Sequence, residues 1–241
     1  MPSNAEHWND PAVESMYDKT LLRLETENLK AWIEVGSDIC DFGCGEGEAT
    51  LEYAGIEGVD ILAVDNSPTR LELARQRIDG RWHVDFQLAS VLGETDLGQF
   101  DVVISQRLLV NLGSWEAQKR ALKRLFSMVR PGGRVLLSEG SSNGAAKLNE
   151  FRDQMGLPPI PIPAHNVFID DRQLMAFADS LGWRLEDAKH LGTYYLLTRG
   201  VQPALKDDLR WDSDFNTRSS KVDLLCTGRF SRIKQWCFVR G

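Results

Sequence analysis

The chain has 241 residues, 42% hydrophobic and 26% charged, with a formal net charge of −7. That length suffices for one domain with a sizeable core, and an acidic balance without a basic cluster disfavours a nucleic-acid backbone as the main partner. The first ten residues are polar, unlike a signal segment, and no apolar run reaches the roughly 18–20 residues of a membrane helix, so a soluble, cytoplasmic protein without membrane insertion is expected.

Along the chain, Val13, Met16, Tyr17, Thr20, Leu21 and Leu24 recur at helical spacing and predict an amphipathic helix within an N-terminal cap over residues 1–34. Asp38-Ile39-Cys40-Asp41-Phe42 then reads as a short buried strand entering the turn Gly43-Cys44-Gly45-Glu46-Gly47 and a helix. Gly43 and Gly45 allow dihedrals that a side chain would forbid and let a ligand lie against the main chain. A dinucleotide site would place its third glycine where Glu48 stands, and the Gly-Lys-Ser/Thr ending of a phosphate loop is absent. Asp41, Glu46 and Glu48 would repel a pyrophosphate; they suit a ligand with a cationic end.

Ile61-Leu62-Ala63-Val64-Asp65 is a second apolar run, ending in a carboxylate 22 positions after Gly43. An acidic residue about 20 positions beyond a glycine turn can accept both hydroxyls of a ribose. Ser67-Pro68 supplies a helix cap and first-turn proline, Leu71, Ala74 and Ile78 share one face, and Gly80 ends the helix. Further strands are predicted at Phe86 to Ser90, at Phe100 to Ser105 and at Arg134 to Glu139. A helix capped by Ser114 buries Leu122, Leu125, Phe126 and Val129, and Arg130-Pro131-Gly132-Gly133 stops it.

Over residues 35–140 this pattern resembles the class I S-adenosyl-L-methionine (SAM) methyltransferases. The resemblance implies an α/β, Rossmann-like fold: a seven-stranded, mostly parallel sheet with helices on both faces and substrate-lid insertions. Residues 35–140 would form the SAM-binding core of a single domain, 1–241, with insertions at 141–171 and 200–234. Its last two strands would be Tyr194 to Thr198 and Gln235 to Val239, the final one antiparallel. SAM would meet Asp41, Gly43, Cys44, Gly45, Asp65, Asn66, Ala89, Ser90 and Gln106, with Tyr17 closing over it and S-adenosyl-L-homocysteine (SAH) as product. Ser90 departs from the class, which commonly carries an acidic residue there to read the adenine amino group; the Ala89 amide or the Ser90 hydroxyl can substitute.

Substrates of open α/β sheets bind beyond the carboxyl ends of the strands, which gathers residues 106–113, 140–171, and Thr193 with 200–234. The second stretch contains Gly156-Leu157-Pro158-Pro159-Ile160-Pro161-Ile162-Pro163-Ala164-His165-Asn166, whose prolines fix an extended path. A helix capped by Asp170 or Asp171 follows, with Leu174, Phe177, Ala178 and Leu181 on one face and Gly182 at its end. With Arg107 and Asn111, Thr193-Tyr194-Tyr195 and Arg199, and Asp214-Phe215-Asn216, this loop resembles a bacterial subgroup often encoded with sugar and surface-polysaccharide genes. The expectation is O-methylation of a sugar or glycan-linked small molecule by in-line methyl transfer, with N-methylation of an amine or non-catalytic SAM binding as alternatives.

An alcohol nucleophile needs a proton acceptor. His165 is one candidate, its unperturbed pKa lying near 6.5; its other reading is a loop residue bonding backbone carbonyls. Glu139 is the second, read alternatively as a structural carboxylate. Arg107, Arg152 and Arg172 can hold an acceptor carboxylate or phosphate through their guanidinium forks. Cys40, Cys44, Cys226 and Cys237 follow no metal-ligand spacing and the histidines are scattered, so no metal is expected. A homodimer is compatible with the reading.

Overall fold

A computed structural model of the chain describes residues 8–10, 13, 16–81, 83–205 and 209–240. In chain order the principal elements are α1 (Lys19–Lys30), β1 (Asp38–Phe42), α2 (Glu48–Tyr53), β2 (Asp60–Asp65), α3 (Pro68–Arg77), β3 (Val84–Leu88) and β4 (Phe100–Gln106). A 3-10 turn (Leu109–Asn111) leads to α4 (Trp115–Ser127), β5 (Val129–Gly140), α5 (Ser142–Gln154), α6 (Asp171–Ser180) and β6 (Trp183–His190). The chain then runs through α7 (Gly192–Tyr195), a π-helical turn (Leu196–Val201), α8 (Gln202–Leu205), α9 (Asp214–Ser219) and β7 (Ile233–Arg240).

The strands form one seven-stranded sheet in the order β3-β2-β1-β4-β5-β7-β6. β1 to β5 pair in parallel, and β7 runs antiparallel to both neighbours, β5 and β6. Because the chain builds outward from β1 to β3 and then returns to place β4 on the other side of β1, the strand order reverses between β1 and β4. Loops diverge there and leave a crevice at the carboxyl ends of the strands.

Period-two alternation distributes the strand side chains to two cores. Along β4, Phe100 and Val103 pack with Phe42, Leu122, Phe126, Val135 and Phe238 on one face, while Val102 and Ile104 pack with Ile39, Tyr53, Ile61, Leu71 and Leu136 on the other. The register shift between Phe100 and Val102 lets Pro131-Gly132-Gly133 sit within the first half of β5, so that strand begins at Val129 and not at Arg134 as expected. The caps fall where the sequence places them: Ser67 accepts from Arg70 N, Ser114 from Ala117 N, and Asp170 from Arg172 N and Gln173 N. Such a cap stabilises a helix by about 1 kcal/mol.

Two expectations are corrected. Tyr194 to Thr198 is helical, not a strand, and the sixth strand is Trp183–His190. The apolar run 194–198 has no period of its own, and a short run of that kind suits a buried helix as well as a strand; Tyr194, Tyr195 and Thr198 are all buried. The N-terminal helix begins at Lys19 with Asp18 as its cap, so Val13, Met16 and Tyr17 lie before it. Among the described residues no helix is long and apolar enough to cross a membrane.

Candidate active site

At the carboxyl end of β1 the backbone turns through Gly43 (φ 85°) and Gly45 (φ 55°), the left-handed region that glycine adopts without steric cost. Gly43 N and Cys44 N donate to Val64 O at 2.7 and 3.0 Å, tying the turn to the end of β2. A Cβ at Gly43 would lie 3.0 Å from the Leu108 Cβ, so the turn and the loop after β4 are in close contact. Asp65, at the end of β2, accepts from Gly45 N and Ser67 N at 2.9 Å each, one on either carboxylate oxygen. A carboxylate has about four lone-pair sites, so both oxygens retain capacity for a ligand's hydroxyls. Burial pushes the Asp65 carboxyl up from its ordinary value, and the backbone N–H groups at Ser67, Gly45 and Asn66 oppose it. Asp41 is more deeply buried and is pushed up to about 6, chiefly by burial, against a hydrogen bond from Thr50 Oγ1 at 2.5 Å.

These groups line one side of a cleft of about 160 Å³. From the glycine turn and β2 come Asp41, Gly43, Cys44, Gly45, Glu46, Glu48, Asp65 and Asn66; from the loop after β4 come Gln106, Arg107, Leu108, Asn111 and Leu112, joined by Leu22 of α1. Trp8 and Arg70 complete the rim. Arg70 is fully buried and donates to the carbonyls of Trp8 (2.8 Å), Asp10 (3.0 Å) and Val13 (2.7 Å) while pairing with Glu46. Its guanidinium lies 5.6 Å from the Trp8 ring centroid, and Ser67 Oγ bonds Asn9 Oδ1 at 2.6 Å. One arginine in the first turn of α3 thus fastens the segment before α1 against the cleft.

The opposite wall is held from behind. Glu139, fully buried at the end of β5, accepts from Ser105 Oγ (2.9 Å) and from the backbone N–H groups of Leu108 (3.0 Å), Leu109 (2.9 Å) and Val110 (3.3 Å). Burial pushes its carboxyl up to about 7 against the pull of those donors. Gln118 Nε2 donates to Leu109 O (3.0 Å) and Val167 O (2.7 Å), and Val167 N to Val110 O (2.8 Å). Arg107 itself sits at φ 55°, a position uncommon for a residue with a Cβ. Its N–H bonds Ser138 O at 2.8 Å, and its carbonyl accepts from Asn111 Nδ2 at 2.8 Å. Behind the guanidinium stands Glu25 of α1, fully buried, with Oε2 3.5 Å from Arg107 Nε and bonded by Gln106 Nε2 (3.0 Å) and Ser138 Oγ (3.2 Å).

The expected site residues divide accordingly. Asp41, Gly43, Cys44, Gly45, Asp65, Asn66, Gln106 and Arg107 converge on the cleft. Ala89 and Ser90 do not line it: Ala89 N continues the sheet by bonding Asp65 O, and the Ser90 carbonyl accepts from Arg124. Tyr17 is 65% exposed and away from the cleft; the aromatic from the N-terminal segment that reaches it is Trp8. His165 is exposed on its loop and Glu139 is engaged by its four donors, so neither presents a proton acceptor to the cleft. Arg152 is committed to the carbonyls of Pro158 and Arg199, and Arg172 is exposed in the first turn of α6. Trp8, Arg70 and Glu25 were not foreseen. For Arg70 a signal existed, since it shares the buried face of α3 with Ala74 and Ile78.

Residues 39–133 match the family model for a methyltransferase domain. Carboxy-S-adenosyl-L-methionine synthase of Yersinia enterocolitica is 34% identical over 114 residues, which are 45% of this chain and 42% of that protein. The chain therefore spans less than half the length of the curated relatives it matches. Magnesium protoporphyrin IX methyltransferase of Synechocystis, solved with bound SAH, superposes over 99% of this chain and 93% of its own with a TM-score of 0.62 at 15% identity. An N-methyltransferase of Bradyrhizobium japonicum, also solved with SAH, superposes over 92% and 85% with a TM-score of 0.54 at 14% identity. The fold is that of the class I SAM-dependent methyltransferases.

The residues of this methyltransferase fold suit SAM on its own geometry. Asp65 offers hydroxyl-accepting oxygens at the end of β2, the glycine turn brings the main chain to the cleft, and Asp41 supplies negative charge for a cationic ligand end. Among the described residues no group of three or more His, Cys, Asp or Glu is disposed to hold a metal ion.

Proposed function

We propose that this chain transfers the methyl group of SAM to an oxygen of a small-molecule acceptor, a sugar or a glycan-linked compound. The observation that carries the reading is the cleft at the point where strand order reverses, which joins the Asp65 end to the Arg107 and Asn111 wall. When bound, SAM supplies an electrophilic methyl on a sulfonium centre. The chain's own part is placement. Asp65 holds the ribose hydroxyls, the Gly43–Gly45 main chain and Asp41 take the amino-acid end, and Arg107 with Asn111 sets the approach of the acceptor. Holding two reactants in line is worth about 7–11 kcal/mol of barrier, enough to make orientation the dominant contribution.

The sugar reading draws its support from the proline loop, which several side chains fix in place. Asn149 exchanges two hydrogen bonds with Ile160, Arg152 Nε bonds Pro158 O at 2.8 Å, and Arg232 donates to the carbonyls of Ile160 and Pro161. The loop is thereby held to one path, with none of its residues lining the cleft, and its support for a sugar acceptor is the resemblance it carries. Incubating the protein with SAM and a panel of sugars, nucleotide sugars and small alcohols, with SAH release as readout, tests the reading. SAH formed in step with a methylated acceptor is the expected result. Amine products only would replace oxygen by nitrogen as the acceptor atom, and saturable SAM binding without turnover on any acceptor would favour a non-catalytic binder.

A further inference from the structure

We propose that the acceptor carries a phosphate group, held by the guanidinium groups of Arg232, Arg199 and Arg152 beside the acceptor wall of the cleft. The inference rests on the SAM methyltransferase reading and adds the acceptor's charged group. Three arginines far apart in sequence meet here. Arg152 lies near the end of α5, Arg199 in the π-helical turn and Arg232 just before β7, and none is more than 9% exposed. Arg152 Nε donates to Pro158 O at 2.8 Å and its Nη1 to Arg199 O. Arg232 Nη1 and Nη2 donate to Ile160 O and Pro161 O at 3.0 and 3.2 Å. All four bonds end on neutral carbonyls, which leave both positive charges unneutralised. Burial holds Arg232 below its ordinary value; the Tyr195 hydroxyl opposes this, and the charges of Arg199 and Arg152 add to it. Burial lowers Arg152 as well. A carboxylate close to either would push it the other way. Arg199 does pair with a carboxylate, that of Asp18, and its guanidinium lies 5.3, 5.5 and 4.5 Å from the ring centroids of Tyr194, Tyr195 and Trp211.

The charges of Arg152 and Arg232 match a phosphate better than a carboxylate. A phosphomonoester carries about −1.5 to −2 charges at pH 7, and guanidinium forks bind its oxygens bidentately. Donors remain for it, since a guanidinium has five N–H groups. Arg152 Nη2, Arg199 Nε and Arg232 Nε make none of the bonds above, and among the described residues none of the three is a buried atom without a partner; they therefore face accessible space. The arrangement adjoins the cleft through α1. Asp18 at the start of that helix pairs with Arg199, and Leu22, one helical turn or about 5.4 Å further on, lines the cleft. Tyr195 makes the same connection: burial pushes its hydroxyl up, and the charges acting on it are those of Arg199, Glu25, Arg232 and Arg107 in that order. Glu25 and Arg107 belong to the acceptor wall. The π-helical turn that carries Arg199 is a further pointer, because such turns are rare and concentrate at functional sites. A sugar ring whose phosphate rests on the arginines is thus of a size to reach the cleft.

The first probe is inorganic phosphate, titrated calorimetrically into the protein in a low-salt chloride buffer. Saturable binding at one site per chain is expected, at least tenfold weaker in Arg232→Gln, whose amide can still donate to Ile160 O, with SAH affinity unchanged. Acetate is expected to bind at least tenfold more weakly than phosphate. Methyl-labelled SAM is then offered with hexose phosphates, nucleoside-diphosphate hexoses and the parent hexoses. Label is expected on a phosphorylated form, and the form that takes it separates a monoester from a diphosphate. Arg232→Gln is expected to raise the KM for that acceptor at least tenfold while kcat changes little. Should the variant not fold, the wild-type thermal midpoint is expected to rise with phosphate and not with chloride at equal ionic strength. No saturable phosphate binding, equal phosphate affinity in wild type and Arg232→Gln, acetate bound as tightly as phosphate, a midpoint that phosphate and chloride move alike, or label on the parent hexoses as readily as on their phosphates would overturn the proposal. Failure of the wild-type protein to bind SAM would overturn the methyltransferase reading, and the acceptor's role with it, whatever the phosphate titration shows.

Discussion

The two walls of the cleft are built by different means. On the cofactor side the polar groups are set by the main chain: Gly45 N and Ser67 N fix Asp65, and Val64 O fixes the glycine turn. On the acceptor side the loop after β4 is held by side chains reaching across the fold, as Glu139 holds its turn and Gln118 joins that turn to Val167. Main-chain placement leaves little for substitution to change and suits an unvarying cofactor. Side-chain placement can be rewritten residue by residue, which suits a wall that must match one acceptor.

The largest expected effect comes from the ion pair that ties the π-helical turn (Leu196–Val201) to the start of α1. Asp18 caps α1 at Leu21 N, accepts from the Tyr194 hydroxyl at 3.0 Å and pairs with the buried Arg199. Removing one partner of a buried pair strands the other charge and costs about 3–5 kcal/mol. Asp18→Ala should lower the urea midpoint accordingly, while SAM affinity measured well below that midpoint stays within about twofold. An unmoved midpoint would show that the π-helical turn is held by other contacts, and a collapse of SAM affinity would make the cofactor side depend on that turn.

Glu139 gives an effect with a distinctive pH signature. Glu139→Ala leaves the Leu108, Leu109 and Val110 N–H groups without their acceptor, and a buried unsatisfied group costs about 1–3 kcal/mol. Burial raises the folded-state carboxyl to about 7 from an ordinary value of 4.5. Between those values the folded protein keeps a proton that the unfolded chain releases. Its stabilising contribution is therefore full below about 4.5 and is lost as pH rises through about 7. Glu139→Gln keeps an acceptor for the backbone and should flatten stability against pH over that window in chemical denaturation. An identical slope in wild type and Glu139→Gln would remove Glu139 from the account.

The same contrast explains what the sequence disclosed. The cofactor side was legible because its contacts are short-range or carried by a recurring spacing: Asp65 bonds a backbone two residues on and another twenty before. The first two strand ends, the caps at Ser67, Ser114 and Asp170, and the glycine turn followed from local chemistry, while β3 ends at Leu88 and not at the expected Ser90. The acceptor side was not legible, because its partners are far apart in sequence. Glu25 and Gln106 are 81 positions apart, and Asp18 and Arg199 are 181 apart. His165 and Glu139 were candidate bases from residue type and expected position, one after the proline run and the other at the end of the fifth strand. His165 is exposed and not among the residues lining the cleft, and the loop N–H groups that surround Glu139 cannot be read from its position in a strand. Tyr194 to Thr198 was misread because a short, mostly apolar run carries no period that distinguishes a helix from a strand.

The measurement that bears most directly on the central claim is calorimetric titration of SAM and SAH into the wild-type protein and Asp65→Ala. Asp65 is the one cleft residue whose two oxygens are oriented by the glycine turn and by the start of α3 together. The account predicts saturable binding at one site per chain in the wild type. It predicts at least a tenfold weaker affinity in Asp65→Ala, about 1.4 kcal/mol or more, measured well below a thermal midpoint that loss of the acceptor for the Gly45 and Ser67 N–H groups lowers. No saturable binding by the wild type, or equal affinity in the two proteins, would contradict it.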